Sequence, residues 1–200
     1  MKLLKDWTNF EKLLLFGRVV IVSVVGLCFK SDLLTVSCSI VGIGDSHTIS
    51  ELDVIEELKE NTKELYAMQL DKSRENKLKS LIVDVFLLSV NAVSFETGEM
   101  VNLDSSCNRV APSMYGPNQV VFVIGKNKIE KDLTSAIDRI KNYVAPKNAK
   151  EHNYNTPCVI TGKCENCYTK DRICRSLVIY QKRPKATPTK IILVNEDLGW

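Results

Sequence analysis

Apolar runs of strand length alternate along this chain with stretches whose apolar residues recur at helical spacing. That alternation predicts an α/β domain with a mostly parallel sheet and flanking helices. The first run, LLLFGRVVIVSVVGLCF over residues 13–29, is broken by Arg18 and Ser23. Only ~11 apolar residues follow Arg18, short of the roughly 20 that span a bilayer, and no small-residue cleavage site stands clearly after them. Residues 19–25 therefore read as a buried strand in preference to a signal peptide or anchor.

A second apolar run, residues 33–43, leads into VGIGDSHTISEL. Thr48 and Glu51 have the spacing of a capping box, which predicts a helix over 49–66 with Leu52, Ile55, Leu58 and Leu65 on its buried face. Gly42 and Gly44 then lie at a strand-to-helix turn. Glycine there allows close approach of a ligand to the backbone, and the free N–H groups of the helix favour an anion. A tight turn explains the two glycines equally well, and Asp45 would repel an anion placed beside it.

Further along, a helix is expected over 72–81, a strand over 84–90, and a hairpin around Thr97 and Gly98. A strand over 120–124 ends at Gly125. Asn127 is the candidate N-cap of a helix carrying Ile129, Leu133, Ala136, Ile137, Ile140 and Val144, stopped by Pro146. Residues 177–180 and 190–194 read as a final strand pair joined by a proline-bearing turn. No internal repeat is visible.

Composition narrows the class of protein. At 200 residues, 44% hydrophobic and 26% charged, the chain fits one globular domain spanning residues 1–200. A net charge of +3 is too small to make nucleic acid the default partner, and the one basic concentration, KRPKATPTK, reads as a solvated turn. Seven cysteines are an odd number, and Cys28, Cys38 and Cys107 lie in or beside apolar segments. A reducing cytoplasm is thus expected, not a secreted disulfide framework.

The other four cysteines, Cys158, Cys164, Cys167 and Cys174, sit in TPCVITGKCENCYTKDRIC with spacing C-x5-C-x2-C-x6-C. Their neighbours are Thr, Gly, Lys, Asn and Asp, so core packing does not account for all four. Gly162 and the two-residue gap between Cys164 and Cys167 allow the loop to fold back around zinc or an iron–sulfur cluster. A redox-labile disulfide or a reduced cysteine loop are the alternatives, because only one gap has the two-residue length. His152, six residues before Cys158, is a spare ligand for that loop.

The ordered segments GIGDSHTISEL, SVNAVSFETGEMVNLDSSCNRVA, YGPNQVVFVIGKNKI, APKNAK, TPCVITGKCENC, DRIC and ILVNEDLGW resemble the LUD-domain family, named for lactate utilisation proteins, from Val41 to Trp200. The resemblance implies a fold similar to the sugar-phosphate isomerase and CoA-transferase superfamily (NagB/RpiA/CoA transferase-like). It also implies a role related to lactate utilisation, beside iron–sulfur oxidoreductase subunits. Residues 1–40 form a divergent or truncated start, and residues 147–176 a cysteine-rich loop. Where the family usually reads Gly-x-Gly-Gly-Ser, this chain has Gly42-Ile43-Gly44-Asp45-Ser46. Where the family reads Asp-Gly-x-Gly-Asn-Arg, it has Asp104-Ser105-Ser106-Cys107-Asn108-Arg109.

Carried over position by position, the resemblance nominates Gly42, Gly44, Ser46, Asn91, Asn102, Asp104, Asn108 and Arg109. Arg109 has the fork that grips a carboxylate or phosphate, and Asp104 can orient it or act as a base; an internal ion pair between the two explains them equally well. Asn127 and Lys128 add a further anion contact at the next junction, against which stands Asn127 as a plain cap. His47 reads as a solvated first-turn residue. Position 47 is His, not Gly, so the dinucleotide fingerprint is broken. The expected partner is a small organic anion, with a metal- or cluster-bearing accessory protein without catalysis of its own as the second reading; neither nucleic acid nor a membrane is expected.

Overall fold

The computed structural model describes the backbone of residues 18–22 and all of residues 39–200. The remaining parts of the two N-terminal apolar runs, with Cys28 and Cys38, lie outside the described residues. Six strands make an all-parallel central sheet: β1 (Arg18–Val22), β2 (Ile40–Ile43), β3 (Glu64–Ala67), β4 (Val85–Leu88), β7 (Gln119–Gly125) and β10 (Thr189–Val194), in the order β1-β10-β7-β4-β2-β3. The expected first strand thus exists over Arg18–Val22, paired in parallel with β10. A second sheet, ordered β8-β5-β6-β9, joins β5 (Ala92–Ser94), β6 (Met100–Asp104), β8 (Ile129–Glu130) and β9 (Ser176–Tyr180). The hairpin expected at Thr97 and Gly98 is the β5–β6 connection, and Gly98 takes φ 75 there.

The alternation of side chains along the central strands sorts them into two cores. Val85, Leu87, Val121, Val123, Ile192 and Val194 face one side and pack against Ile49, Leu52, Val54 and Leu58. Those four come from helices α1 (His47–Glu51) and α2 (Ile55–Asn61) and the link between them. Phe86, Leu88, Phe122, Ile124, Ile191 and Leu193 face the other side and meet Val93, Met100 and Tyr180 of the small sheet. Beyond that sheet, Ala92 and Val101 pack on Ala136 and Ile140. The layers are therefore helix, parallel sheet, small sheet, helix. Burial on both faces is why β4 and the interiors of β7 and β10 are continuously apolar and carry no polar alternation.

Several sequence expectations are corrected. The single helix over 49–66 is two short helices, because Asp53 turns left-handed at φ 51. The chain then enters β3, so Leu65 packs from a strand beside β2 and not from a helix face. Thr48 and Glu51 do not form a capping box: Ser46 is the N-cap, without a side-chain bond. Thr48 and Glu51 instead bind residues 198 and 199 of the C-terminal segment. The helix expected over 72–81 is α3 (Arg74–Lys79), capped by Ser73, whose hydroxyl accepts from Asn76 N. Helix α4 (Val110–Met114) follows β6.

Asn127 caps no helix. After β7 the chain makes a tight turn, Lys126–Lys128, then β8, and the next helix, α5 (Leu133–Arg139), is capped by Asp132, which accepts from Ser135 N at 2.7 Å. Pro146 does not stop this helix either. A π-helical turn over Ile140–Val144 widens the coil before α6 (Ala145–Glu151), where Pro146 stands in the first turn and its missing N–H is harmless. The last two strands exist but do not pair with each other. The half-buried β9 joins the small sheet antiparallel to β6, whereas β10, buried throughout, lies between β1 and β7.

Candidate functional site

All six central strands point the same way, so the loops after β2, β4, β7 and β10 gather at one edge of the sheet. Ligands of open parallel sheets bind at that edge. A cleft of about 330 Å3 opens here, walled by the β2–α1 turn, residues 89–91, residues 103–109, Lys128, the π turn and α6, and Trp200.

Lys128 forms its floor. The residue is 3% exposed, and Nζ donates to Thr48 Oγ1 at 2.6 Å and to Ser89 Oγ at 2.9 Å. No carboxylate pairs with it among the described residues. Burial, with Arg109 and Arg139 nearby, pushes the ammonium down to about 7. Arg109 lies beside it: Nε donates to Asp104 Oδ2 at 3.1 Å and Nη2 to Leu103 O at 3.0 Å. Among the described residues Nη1 has no protein partner, which leaves one edge of the guanidinium for a ligand.

Of the residues singled out in the sequence, Ser46, Asn91, Asp104, Asn108, Arg109 and Lys128 line the cleft. Four do not. Gly42 is packed inside the sheet, where a Cβ would lie 2.8 Å from Phe86 Cδ2. Gly44 makes room for a side chain: a Cβ there would lie 2.8 Å from Arg109 Cγ. Asn102 is fully buried beneath the site, accepting from Asn91 N at 3.0 Å and donating to Ser89 O at 3.4 Å. Asn91 answers by accepting from Leu103 N at 2.8 Å, so the two amides tie residues 89–91 to β6. Asn127 binds the C-terminal segment through Leu198 N at 3.1 Å and Gly199 O at 2.9 Å. Asp45, expected to repel an anion, is paired with Lys72 at 3.5 Å.

Thr48, Ser89, His47, Asn148, His152, Tyr154 and Trp200 also line the cleft and were not singled out as ligand contacts. His47 bonds Glu151 at 3.2 Å and stacks on Trp200 at 3.6 Å between ring centroids; burial lowers its imidazole pKa against the pull of Glu151. Thr48 could not be found by motif, because its position had a complete local explanation as a cap residue. The burial of Lys128 could not be read from its neighbours, because it stands in the charged stretch GKNKIEK.

The cysteine loop adjoins the cleft. Ala145 lines both the cleft and a small void of about 20 Å3, around which Cys158, Cys164, Cys167 and Cys174 are all arranged. Arg172 staples the loop through Cys167 O, Cys174 O and Asn166 Oδ1. Asn166 turns left-handed at φ 45 and its N–H reaches Cys164 Sγ at 3.4 Å. The thiols are free, and no three Cys, His, Asp or Glu among the described residues are arranged to hold a metal ion. Four soft donors around one void suit zinc in kind, but the loop must contract before all of them can bind one ion.

The model of the LUD domain matches residues 21–194. The chain belongs to the LUD domain family. Membership therefore reaches back to β1, further than the resemblance read from Val41 onward. Among solved structures, the crystal structure of a DUF162 family protein from Deinococcus radiodurans is similar, with a TM-score of 0.52 and 15% identity over 94% of each chain. At that identity the likeness is one of fold. No curated protein matches the chain. Among the described residues, no helix is long and apolar enough to cross a membrane.

Proposed function

We propose that this LUD-domain protein binds a small organic anion in the cleft and acts in or beside a cytoplasmic oxidoreductase system of the lactate-utilisation kind, next to iron–sulfur subunits. The observation that carries the reading is the convergence of Arg109 and Lys128 on one cleft at the C-terminal edge of the sheet. Asp104 occupies Nε of Arg109 and leaves Nη1 for the ligand. A carboxylate or phosphate there would also meet the cation of Lys128, and their shared field offsets the desolvation of the anion.

Calorimetric titration with lactate, pyruvate and simple sugar phosphates tests this reading. Binding of at least one is expected, with the affinity reduced at least tenfold in Arg109→Lys, which keeps a charge for Asp104 but loses the planar fork. Titrations without heat for every anion would overturn it.

A second reading has its own support in the four thiols around one void and the N–H contact to Cys164 Sγ. In it the loop holds zinc or an iron–sulfur cluster and the protein is an accessory without catalysis. Metal analysis and a visible spectrum of anaerobically purified protein test that reading.

A further inference from the structure

Lys128 is over-built for a residue that only supplies charge. A surface lysine would attract an anion without the cost of burial. Here the amine lies beneath the cleft, without a carboxylate, between two hydroxyls whose own protons are already committed: Thr48 Oγ1 donates to Leu198 O at 3.3 Å and Ser89 Oγ to Val90 O at 3.3 Å. Both hydroxyl oxygens must therefore accept from Nζ. A neutral amine has two N–H donors and one lone pair, so the two bonds at 2.6 Å and 2.9 Å consume its donors. The lone pair is left for the remaining tetrahedral direction, on a residue that lines the cleft.

We propose that Lys128 is a nucleophilic lysine that forms an imine with a carbonyl-bearing organic anion whose acidic group is held by Arg109. This rests on the anion-binding reading of the cleft and names the class of ligand, a 2-oxo acid. In the step, the Nζ lone pair attacks the carbonyl carbon, a C–N bond forms and the C–O π bond opens to an oxyanion. Both amine protons leave nitrogen and end on that oxygen, which departs as water, and the C=N bond completes the imine. Burial supports the nucleophile, since an ammonium pushed down to about 7 is half deprotonated near neutral pH, whereas an ordinary lysine has only about one neutral amine in a thousand.

Reductive trapping tests the assignment. The full chain is incubated with pyruvate or glyoxylate and cyanoborohydride, and adducts are located by peptide mass mapping. The expected result is one adduct on Lys128, absent in Lys128→Arg, suppressed by excess lactate, which has no aldehyde or ketone carbonyl, and forming faster as pH rises to a plateau above about 7. Labelling spread over Lys72, Lys79 and other exposed lysines, or a rate still climbing toward pH 10, overturns it. Calorimetric binding of either 2-oxo acid without an adduct also overturns the imine while leaving the anion site standing; absence of binding by every anion removes both. Circular dichroism and melting of Lys128→Arg establish that it is folded, and Thr48→Val, which keeps Lys128 but removes one acceptor, should slow trapping at least tenfold.

Discussion

Gly44 and Arg109 are complementary: the arginine stem occupies the space that a side chain on residue 44 would need, with Cγ 2.8 Å and Cδ 3.3 Å from an added Cβ. The glycine and the arginine come from distant parts of the chain, yet each explains the other. Gly44 has no positive φ, so its role is steric. Gly44→Ala should therefore push Arg109 away from Asp104, cost about 1–3 kcal/mol by overpacking, and weaken anion binding. Urea unfolding and calorimetry on the same variant check both effects; an alanine variant of unchanged stability and affinity would show that Arg109 moves aside freely.

The buried ammonium of Lys128 makes stability depend on pH in a particular window. Its pKa falls from 10.5 in the unfolded chain to about 7 in the folded one. Between those values the unfolded chain binds the extra proton, so stability rises as pH increases across the window. Below about 7 both states are protonated, and the full cost of the buried cation is present. Lys128→Met should hence be more stable than the parent near pH 6, on the order of several kcal/mol before solvent relaxation. The advantage should shrink as pH approaches about 10. Unfolding curves at three pH values check this, and a pH-independent difference would contradict it.

In metal-free protein the four loop thiols should differ in reactivity. A hydrogen bond with the Thr169 hydroxyl is the main cause lowering the Cys167 thiol, with the Thr169 amide and Arg172 assisting. Burial first, then the neighbouring thiols, push Cys174 up to about 11. Iodoacetamide at about pH 8 should label Cys167 first and Cys174 last, because the thiolate is the reacting species. If the loop contracts around zinc, added zinc should protect all four together, and Cys164→Ser should abolish protection and lower the melting temperature, since metal binding and folding of the loop are coupled. Protection of only two thiols would point to pairwise chemistry in place of a four-ligand site.

The fold was legible in the sequence where burial is two-sided. VVFVI within β7 and IILV within β10 are uninterrupted apolar runs because both faces are covered, and they fall in the centre of the parallel sheet. Partners were less legible: β9 and β10 follow each other in the chain, yet only the contrast between half-burial and full burial sends them to different sheets. At the site, the motif residues Asp104 and Arg109 were recognisable as a pair, and they are 3.1 Å apart. Thr48 and Asn127 were misread because each has a sufficient local role as a helix cap. Long-range bonds to Leu198 and Gly199 override that role, and local spacing carries no record of such bonds.

Cys107 stands where the pattern it was compared with in the sequence reads glycine, and its backbone takes the left-handed conformation at φ 61. The loop thus retains the turn that brings Asn108 and Arg109 to the cleft, at the expense of strain in a non-glycine residue. Relief of that strain is worth about 1–2 kcal/mol, while glycine costs about 0.5–1 kcal/mol through the greater freedom of the unfolded chain. Cys107→Gly should therefore stabilise the protein by up to about 1 kcal/mol, even though it removes the 3.2 Å contact between Cys107 Sγ and Ser176 Oγ. Cys107→Ala removes the same contact and keeps the strain, so it should be no more stable than the parent. Thermal melting of the two variants side by side separates backbone from thiol. If alanine stabilises as much as glycine, the left-handed turn carries no strain and the thiol itself is the unfavourable group.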